Sequence, residues 1–382
     1  MRVLMLSDVY FPRVNGVSTS IQTFRAGLGE QGVTVQLIAP DYALESPRET
    51  GLRRIPGQPV PGDPEDRRMV WSALKEAAHA AAKACDIVHI QTPFLAHYAG
   101  LRAARTFGKP VIATYHTLFE EYLQHYAPWL PAPWLRATAR RFSRGQCNDL
   151  DAVVVPSTAM HQRLREYGVR VPLHVLPTGI PLRRFRQGDG GEFRRRHGLA
   201  PETPVALYVG RVAHEKNIDF LIDVRHRLRH DLSDLTLLIT GEGPARASLQ
   251  AQVEQLGLTT RVRFLGYLDR QRELPDAYAA ADVFVFASRT ETQGLVLLEA
   301  MAMGLPVIAL AEMGTKDILT PGRGCLVPEN TVEAFAASVQ HFFQDADMRE
   351  QLQRTARETA NDWSDEAMAT RLMALYASLL RG

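Results

Sequence analysis

Val205-Ala206-Leu207-Tyr208-Val209-Gly210-Arg211-Val212-Ala213-His214-Glu215-Lys216-Asn217 joins five apolar residues to a glycine turn, and a helical pattern with Phe220, Leu221 and Val224 follows. An apolar run without polar alternation reads as a strand buried on both faces, as parallel sheets covered by helices require. The same pattern recurs along the chain. Val3–Leu6, Val33–Ile38, Ile87–Ile90, Val111–Thr114 and Ala152–Val155 precede it, and Leu235–Ile239, Val262–Leu265, Val283–Phe286 and Val307–Leu310 follow it. Two successive sets of such runs predict an α/β protein with two Rossmann-like, doubly wound domains.

A chain of 382 residues suits that count. The break is expected at 177–200, where Pro177-Thr178-Gly179-Ile180-Pro181 and Gly188-Asp189-Gly190-Gly191 precede the strand at Val205. The domains are then 1–180 and 190–362, with a last helix at about 364–382 capped by Asn361-Asp362-Trp363-Ser364. Arg194-Arg195-Arg196 reads as a solvated helix face.

Hydrophobic residues at 46% and charged residues at 23% are ordinary for a soluble globular protein. A formal net charge of +2 argues against a dedicated nucleic-acid binder. The balance is uneven, +5 over residues 1–180 and −3 over the remainder. Three cysteines without a CxxC exclude a zinc ribbon or disulfide framework and suit a reducing cytoplasm. The opening Met1–Asp8 reads as a first strand rather than a targeting signal. The longest apolar stretch, Leu295–Ala311, is broken by Glu299 and by Gly304-Leu305-Pro306, so any membrane contact is expected to be peripheral.

Open α/β sheets bind ligands beyond the carboxyl ends of their strands. After the first run, Asn15-Gly16 precedes a helix expected to begin near Ser18 or Thr19, with Gln22 completing a capping box. Gly16 there lets an anion reach free N–H groups, although an ordinary turn looks the same. His116 follows Val111–Thr114 and reads either as a cleft residue or as a satisfied structural histidine. Only five lysines occur in the chain, and one of them, Lys216, flanks with Arg211 a loop that ends at a helix N-terminus. Two cations beside free backbone donors suit a diphosphate. Glu242 and Gly243 lie in a further glycine turn, Thr240-Gly241-Glu242-Gly243-Pro244.

The strongest local signal is Ala287–Ala302, with Glu291 in a loop, Gly294 opening a helix and Glu299 within it. A carboxylate in an otherwise apolar helix needs a partner. A ribose, whose hydroxyls donate, is one reading, and a buried ion pair is the other. The N–H groups of Thr292, Gln293 and Gly294 suit sugar oxygens. Residues 119–144 read FEEYLQHYAPWLPAPWLRATARRFSR. Tyr122, Tyr126, Trp129, Trp134 and Phe142 alternate there with Arg136, Arg140, Arg141 and Arg144, as an interfacial membrane segment needs. A solvated helix packed through its aromatics is the competing reading. Asp149-Leu150-Asp151 and Asp345-Ala346-Asp347 match a DxD pattern, but neither is expected to hold a metal.

Nearly the whole chain resembles the family 4 retaining glycosyltransferases of the GT-B fold. The resemblance is carried by GRVAHEKN at 210–217 and by the E-x7-E motif at 291–299, which continues into EAMAMGLPVIA. TYHTLFEEYLQHY at 114–126 and TETQGLVLLEAMA at 290–302 look like the branch that glucosylates diacylglycerol from UDP-glucose. The resemblance implies two Rossmann-like domains facing a central cleft, the first binding acceptor and rejoined by the C-terminal helix, the second binding donor. It implies that Arg211 and Lys216 hold the donor diphosphate, with Gly16 approaching the same phosphate. Glu299 would hold the ribose, Glu291 and the amides of Thr292, Gln293 and Gly294 the hexose, and His116 would contact the sugar near the reacting centre. Glu242 and Gly243 would line the cleft. Two departures stand out: Pro177–Pro181 replaces an Asn-Gly linker, and Gln293 occupies a position often held by Phe or Pro.

The expected function is transfer of a hexose, glucose favoured, from a nucleotide sugar to a lipid hydroxyl, with diacylglycerol the favoured acceptor. The expected place is the inner face of the cell membrane, with Trp129, Trp134, Arg136, Arg140, Arg141 and Arg144 toward an anionic lipid surface. UDP-hexose is favoured over GDP-hexose, and no cofactor, obligatory metal or nucleic acid is expected. The reaction displaces a nucleoside diphosphate through an oxocarbenium-like transition state. By resemblance the configuration is retained, with front-face attack as the working mechanism and Glu291 the candidate for a covalent nucleophile. Competing readings are a polysaccharide, lipopolysaccharide or phosphatidylinositol-mannoside glycosyltransferase, a UDP-sugar epimerase on the same fold, and a non-catalytic nucleotide-sugar binder.

Overall fold

The computed structural model describes residues 1–13, 15–42, 49–60, 63–116, 132–185, 187–270 and 272–381, with backbone alone for 63–65, 132 and 134–136. Contacts divide the chain into Met1–Gly179 with Asp365–Gly382, and Ile180–Ser364.

The first unit runs β1 (Arg2–Leu6), α1 (Gly16–Glu30), β2 (Thr34–Pro40), β3 (Leu52–Ile55), β4 (Gly57–Val60), β5 (Asp63–Met69), α2 (Trp71–Ala84), β6 (Ile87–Ile90), α3 (Leu95–Phe107), β7 (Val111–Thr114), α4 (Ala132–Asn148), β8 (Ala152–Val155), α5 (Thr158–Glu166) and β9 (Leu173–Val175). Seven of these strands make one parallel sheet in the order β3-β2-β1-β6-β7-β8-β9, and β4 and β5 form an antiparallel hairpin. The apolar runs pair in register, Val3 with Val35 on one side and Ile87 on the other.

The second unit runs α6 (Gly190–Arg196), β10 (Val205–Val209), α7 (Ile218–Arg227), β11 (Thr236–Thr240), α8 (Arg246–Gln255), β12 (Val262–Gly266), α9 (Glu273–Ala280), β13 (Val283–Phe286), α10 (Leu295–Ala302), β14 (Val307–Ala309), β15 (Cys325–Leu326), α11 (Val332–Gln344) and α12 (Ala346–Asn361). Its sheet is parallel in the order β12-β11-β10-β13-β14-β15. Every residue of β10, β11 and β13 is buried, which is why their sequences carry no polar alternation.

The last helix, α13 (Asp365–Leu379), belongs to the first unit. Its Met368, Leu372, Leu375 and Tyr376 join Ile21, Phe24 and Leu28 of α1 in one apolar cluster. Each such side chain contributes about 1.5–3 kcal/mol on burial, enough to hold the helix on that sheet.

Local readings change in three places. Helix α1 starts at Gly16, earlier than the expected Ser18 or Thr19, because Asn15 is extended and its side-chain oxygen accepts the Ser18 N–H at 2.8 Å. Gly16 is thus the first helical residue rather than the one before the helix. Arg194 is not solvated: its guanidinium donates to the carbonyls of Ala200, Pro201, Thr203 and Ala280 and pairs with Asp282 at 3.1 Å. Strands β3, β9 and β15 carried no apolar run to announce them. They lie at sheet edges, and β3 reads Leu-Arg-Arg-Ile.

Candidate active site

The second unit gathers most of the expected donor residues at the carboxyl ends of β10, β11 and β13. Beyond β10 the chain turns through Gly210, and a short 3-10 turn, His214–Lys216, leads into α7. Lys216 Nζ lies 2.6 Å from Glu291 Oε1, with both side chains 19% exposed. Arg211 instead pairs with Glu215 at 2.8 Å on an open surface. Tyr208 supports this turn from beneath, donating its hydroxyl to the Arg211 carbonyl at 3.2 Å. Burial, and then the nearby Glu291 charge, hold the Tyr208 phenol well above its usual range.

The turn beyond β11 is packed against the turn beyond β10. Val212 N–H donates to the Glu242 carbonyl at 2.9 Å, and Ala245 N–H donates to the Val212 carbonyl at 3.0 Å. Gly241 has φ +121, and a Cβ there would collide with the Gly210 carbonyl oxygen. A Cβ at Gly243 would likewise strike the Val212 carbonyl. These glycines therefore bring two loops into backbone contact. The Glu242 carboxylate pairs with Arg246, the first residue of α8.

Beyond β13, Glu291 and Thr292 are pinned by Gly314. Its N–H donates to the Glu291 carbonyl at 2.9 Å, and its missing Cβ leaves room for the Thr292 carbonyl. Gln293 is buried, and Gly294 caps α10 in the left-handed region at φ +94. Glu299 is 3% exposed. One of its oxygens accepts from Arg270 at 2.5 Å and the other from the Tyr278 hydroxyl at 3.0 Å. The Glu299 charge holds the Arg270 guanidinium above its ordinary range, and burial holds Tyr278 well above its own. Of the two readings of Glu299, the buried ion pair is the one these contacts show.

The first unit holds Gly16 and His116. Gly16 has open space where a Cβ would stand, at the start of α1. His116 follows β7, with Nε2 3.1 Å from Gln91 Oε1, and burial depresses its pKa to about 4. Asp8, beyond β1, accepts from Thr92 Oγ1 at 2.7 Å and from the Ala96 N–H at 3.1 Å. Burial raises its pKa to about 6.

Of the proposed membrane residues, Trp129 lies outside the described residues. Trp134 and Arg136 lie on α4, where their side chains are not described. Arg141 and Arg144 are exposed. Arg140 is exposed too, yet its guanidinium sits 5.5 Å from the centre of the Tyr167 ring. Among the described residues no helix is long and apolar enough to cross a membrane. No group of three or more His, Cys, Asp or Glu among them is arranged to hold a metal. In the DxD stretches, Asp149 pairs with Arg105, Asp151 accepts the Val111 N–H and Asp345 caps α12.

Sequence reasoning missed Gln91, Asp8, Arg270, Tyr278 and Gly314. Gln91 and Asp8 do carry a signal, since each is a polar residue just past a buried strand. The other three are marked only by contacts with residues distant in sequence.

Two doubly wound units, with glycine turns and a cation–carboxylate pair beyond the strands of the second, define a GT-B glycosyltransferase. Residues 14–184 match the family described as Glycosyltransferase Family 4, and residues 189–359 match Glycosyl transferases group 1. An alpha-monoglucosyldiacylglycerol synthase of Streptococcus pneumoniae is 33% identical over 317 residues, covering 81% of this chain and 71% of that protein. A GDP-mannose-dependent alpha-mannosyltransferase of Mycobacterium tuberculosis is 31% identical over 345 residues, covering 87% and 85%. Among solved structures, Anabaena HepE in complex with UDP superposes with a TM-score of 0.80 at 19% identity, over 99% of this chain and 100% of that one. Sucrose-phosphate synthase from Thermosynechococcus elongatus gives 0.79 at 23% identity, over 100% and 99%. The chain belongs to glycosyltransferase family 4 and is an enzyme of the hexosyltransferase class.

Proposed function

We propose that this enzyme transfers a hexose, glucose favoured, from UDP-hexose to a hydroxyl of a lipid acceptor, diacylglycerol favoured, with retention, at the cytoplasmic face of a membrane. The observation that carries the transfer chemistry is the Lys216–Glu291 pair at 2.6 Å, beside the open turn at Arg211. A cation held by a carboxylate is ready to exchange it for a phosphate, whose charge grows as the glycosidic bond breaks. Lys216 and Arg211 then stabilise the leaving diphosphate, and Glu291, freed, accepts hexose hydroxyls. The amides of Thr292, Gln293 and Gly294 complete the sugar site of the second unit, Glu299 holds the ribose, and Glu242 and Gly243 line the site. In the first unit, Gly16 offers a backbone N–H suited to a phosphate and His116 a ring nitrogen suited to a sugar hydroxyl. The leaving phosphate takes the proton of the attacking hydroxyl on the same face of the sugar. The likeness to the alpha-monoglucosyldiacylglycerol synthase of S. pneumoniae supports glucose as the hexose and diacylglycerol as the acceptor.

A second donor reading, GDP-mannose, is favoured by the mannosyltransferase of M. tuberculosis, which spans more of its own length in the match. A nucleoside-diphosphate-release screen of UDP- and GDP-sugars against diacylglycerol in mixed micelles separates the two. Release from UDP-glucose that requires the lipid is expected. Release from GDP-mannose alone transfers the assignment to that donor. In the same assay Lys216→Ala is expected to lower turnover by about a hundredfold or more, since one lost donor to developing charge typically costs about 3–4 kcal/mol of barrier. Glu299→Gln, which removes a charged acceptor for the ribose, is expected to lower kcat/KM by about tenfold or more, the range for a hydrogen bond to a charged group. Circular dichroism of both is expected to stay unchanged. Wild-type turnover in either folded variant refutes the site.

A further inference from the structure

We propose that Gln91 is a positioning residue that selects the tautomer of His116, keeping the proton on Nε2 and leaving Nδ1 as a bare acceptor for a substrate hydroxyl. Strand β6 pairs in parallel with β7, so that His89 lies beside Ile112 and Ile90 beside Ala113. Alternate residues share a face, so His89 and Gln91 run beside Thr114 and His116. They make two polar rungs. His89 Nε2 lies 2.7 Å from Thr114 Oγ1, and Gln91 Oε1 lies 3.1 Å from His116 Nε2. The first rung is closed from α13, whose Tyr376 hydroxyl is 2.6 Å from His89 Nδ1. The second ends at the carboxyl edge of the sheet, where ligands bind.

A carbonyl oxygen only accepts, so the nitrogen facing it must donate. Burial keeps His116 neutral near pH 7, with its pKa depressed to about 4, and a neutral imidazole has one N–H. Placing that N–H on Gln91 leaves Nδ1 unprotonated, the right partner for a hydroxyl donor. The segment that carries Gln91 is fixed at three successive residues. Its own N–H donates to the Leu6 carbonyl at 2.8 Å, Thr92 is hydrogen-bonded to Asp8, and the Pro93 carbonyl accepts from Gln146 of α4 at 2.6 Å. A side chain presented from a fixed backbone raises rate by preorganisation rather than by added contact.

The proposal rests on the reading of His116 as a residue of the transfer site, and its test separates the two. Protein carrying 15N-histidine is examined by multiple-bond 1H–15N correlation, with His116 assigned by loss of its signal in His116→Gln. The wild type is expected to show the Nε2–H form. Gln91→Met, which keeps length but removes the acceptor, is expected to lose that single form and to lower kcat tenfold or more, with donor KM changed less than threefold. A merely structural residue moves neither the tautomer nor this split. An Nδ1–H form in the wild type, or an unchanged tautomer and turnover in Gln91→Met, overturns the proposal. If Gln91→Met does not fold, the wild-type spectrum alone decides, because the amide orientation fixes which nitrogen is protonated. The spectrum needs no turnover, so a correct tautomer in a chain that releases no nucleoside diphosphate refutes the functional reading and not this one.

Discussion

Glu299 has both carboxylate oxygens engaged, one by a guanidinium that is 35% exposed and one by a buried phenol. Removing one partner from a buried carboxylate leaves its charge short of compensation. Arg270→Met is therefore expected to lower stability by about 2–3 kcal/mol, below the value for fully buried pairs because water reaches the arginine. Tyr278→Phe is expected to cost about 1.5–3 kcal/mol, the range for a hydrogen bond to a charged group. Urea denaturation of both variants reads these losses, and two unchanged midpoints would show that Glu299 relies on neither. Glu299 itself was legible because a carboxylate in the apolar run Leu295–Ala302 demands a reason. Its partners were not, since they come from 29 and 21 residues away. The same holds for Lys216 and Glu291, 75 residues apart: each was visible as a candidate, but their pairing was not.

Helix α4 has the sequence APWLRATARRFSRGQCN, with four arginines and no acidic residue. Arg136, Arg140 and Arg144 are spaced i, i+4, which puts them in one stripe along the helix. The structure gives that stripe a protein neighbour, for Arg140 lies over Tyr167 and the Arg144 side chain lies beside Gly168, at the end of α5. Both arginines remain exposed, so lipid phosphates can still reach them. Changing Arg136, Arg140 and Arg144 together to Glu is expected to reduce co-sedimentation with anionic vesicles at least fivefold at low salt, with the difference fading as salt screens it. Equal binding by the triple variant defeats the membrane assignment of this helix. Elements with strong periodicity, such as α1 and β10, were legible to within a residue or two. The hairpin of β4 and β5 and the edge strands β3, β9 and β15 were not, because such short segments carry no burial pattern until a neighbouring strand pairs with them.

The first unit carries a pH dependence that follows from its buried histidines. His89 and His97 are 1% and 2% exposed, and burial lowers their pKa values from the usual 6.5 to about 3 and about 4. The unfolded chain therefore binds protons more readily than the folded one, and stability is lost as pH falls below about 6.5. Each histidine contributes a slope of about 1.4 kcal/mol per pH unit where only its unfolded form is protonated. Asp8 acts the other way. With its pKa raised from 3.8 to about 6, it favours the folded state as pH falls through that interval. The histidines outnumber it, so the net expectation is a midpoint temperature that drops between pH 6.5 and 4. Asp8→Asn should steepen that drop, because it removes the opposing proton uptake. A flat profile by scanning calorimetry would show that the histidines open to water.

The two parallel sheets, the glycine turns and the carboxylates at Glu291 and Glu299 could be read along the chain, because burial on both faces and a turn before a helix leave local patterns. Folding alone decided which groups meet. It gave Lys216 to Glu291 and Arg270 to Glu299, and set Gln91 against His116. Those contacts depend on strand order and register, which place residues of distant sequence at one edge. No local pattern of apolar and polar residues records such a distance.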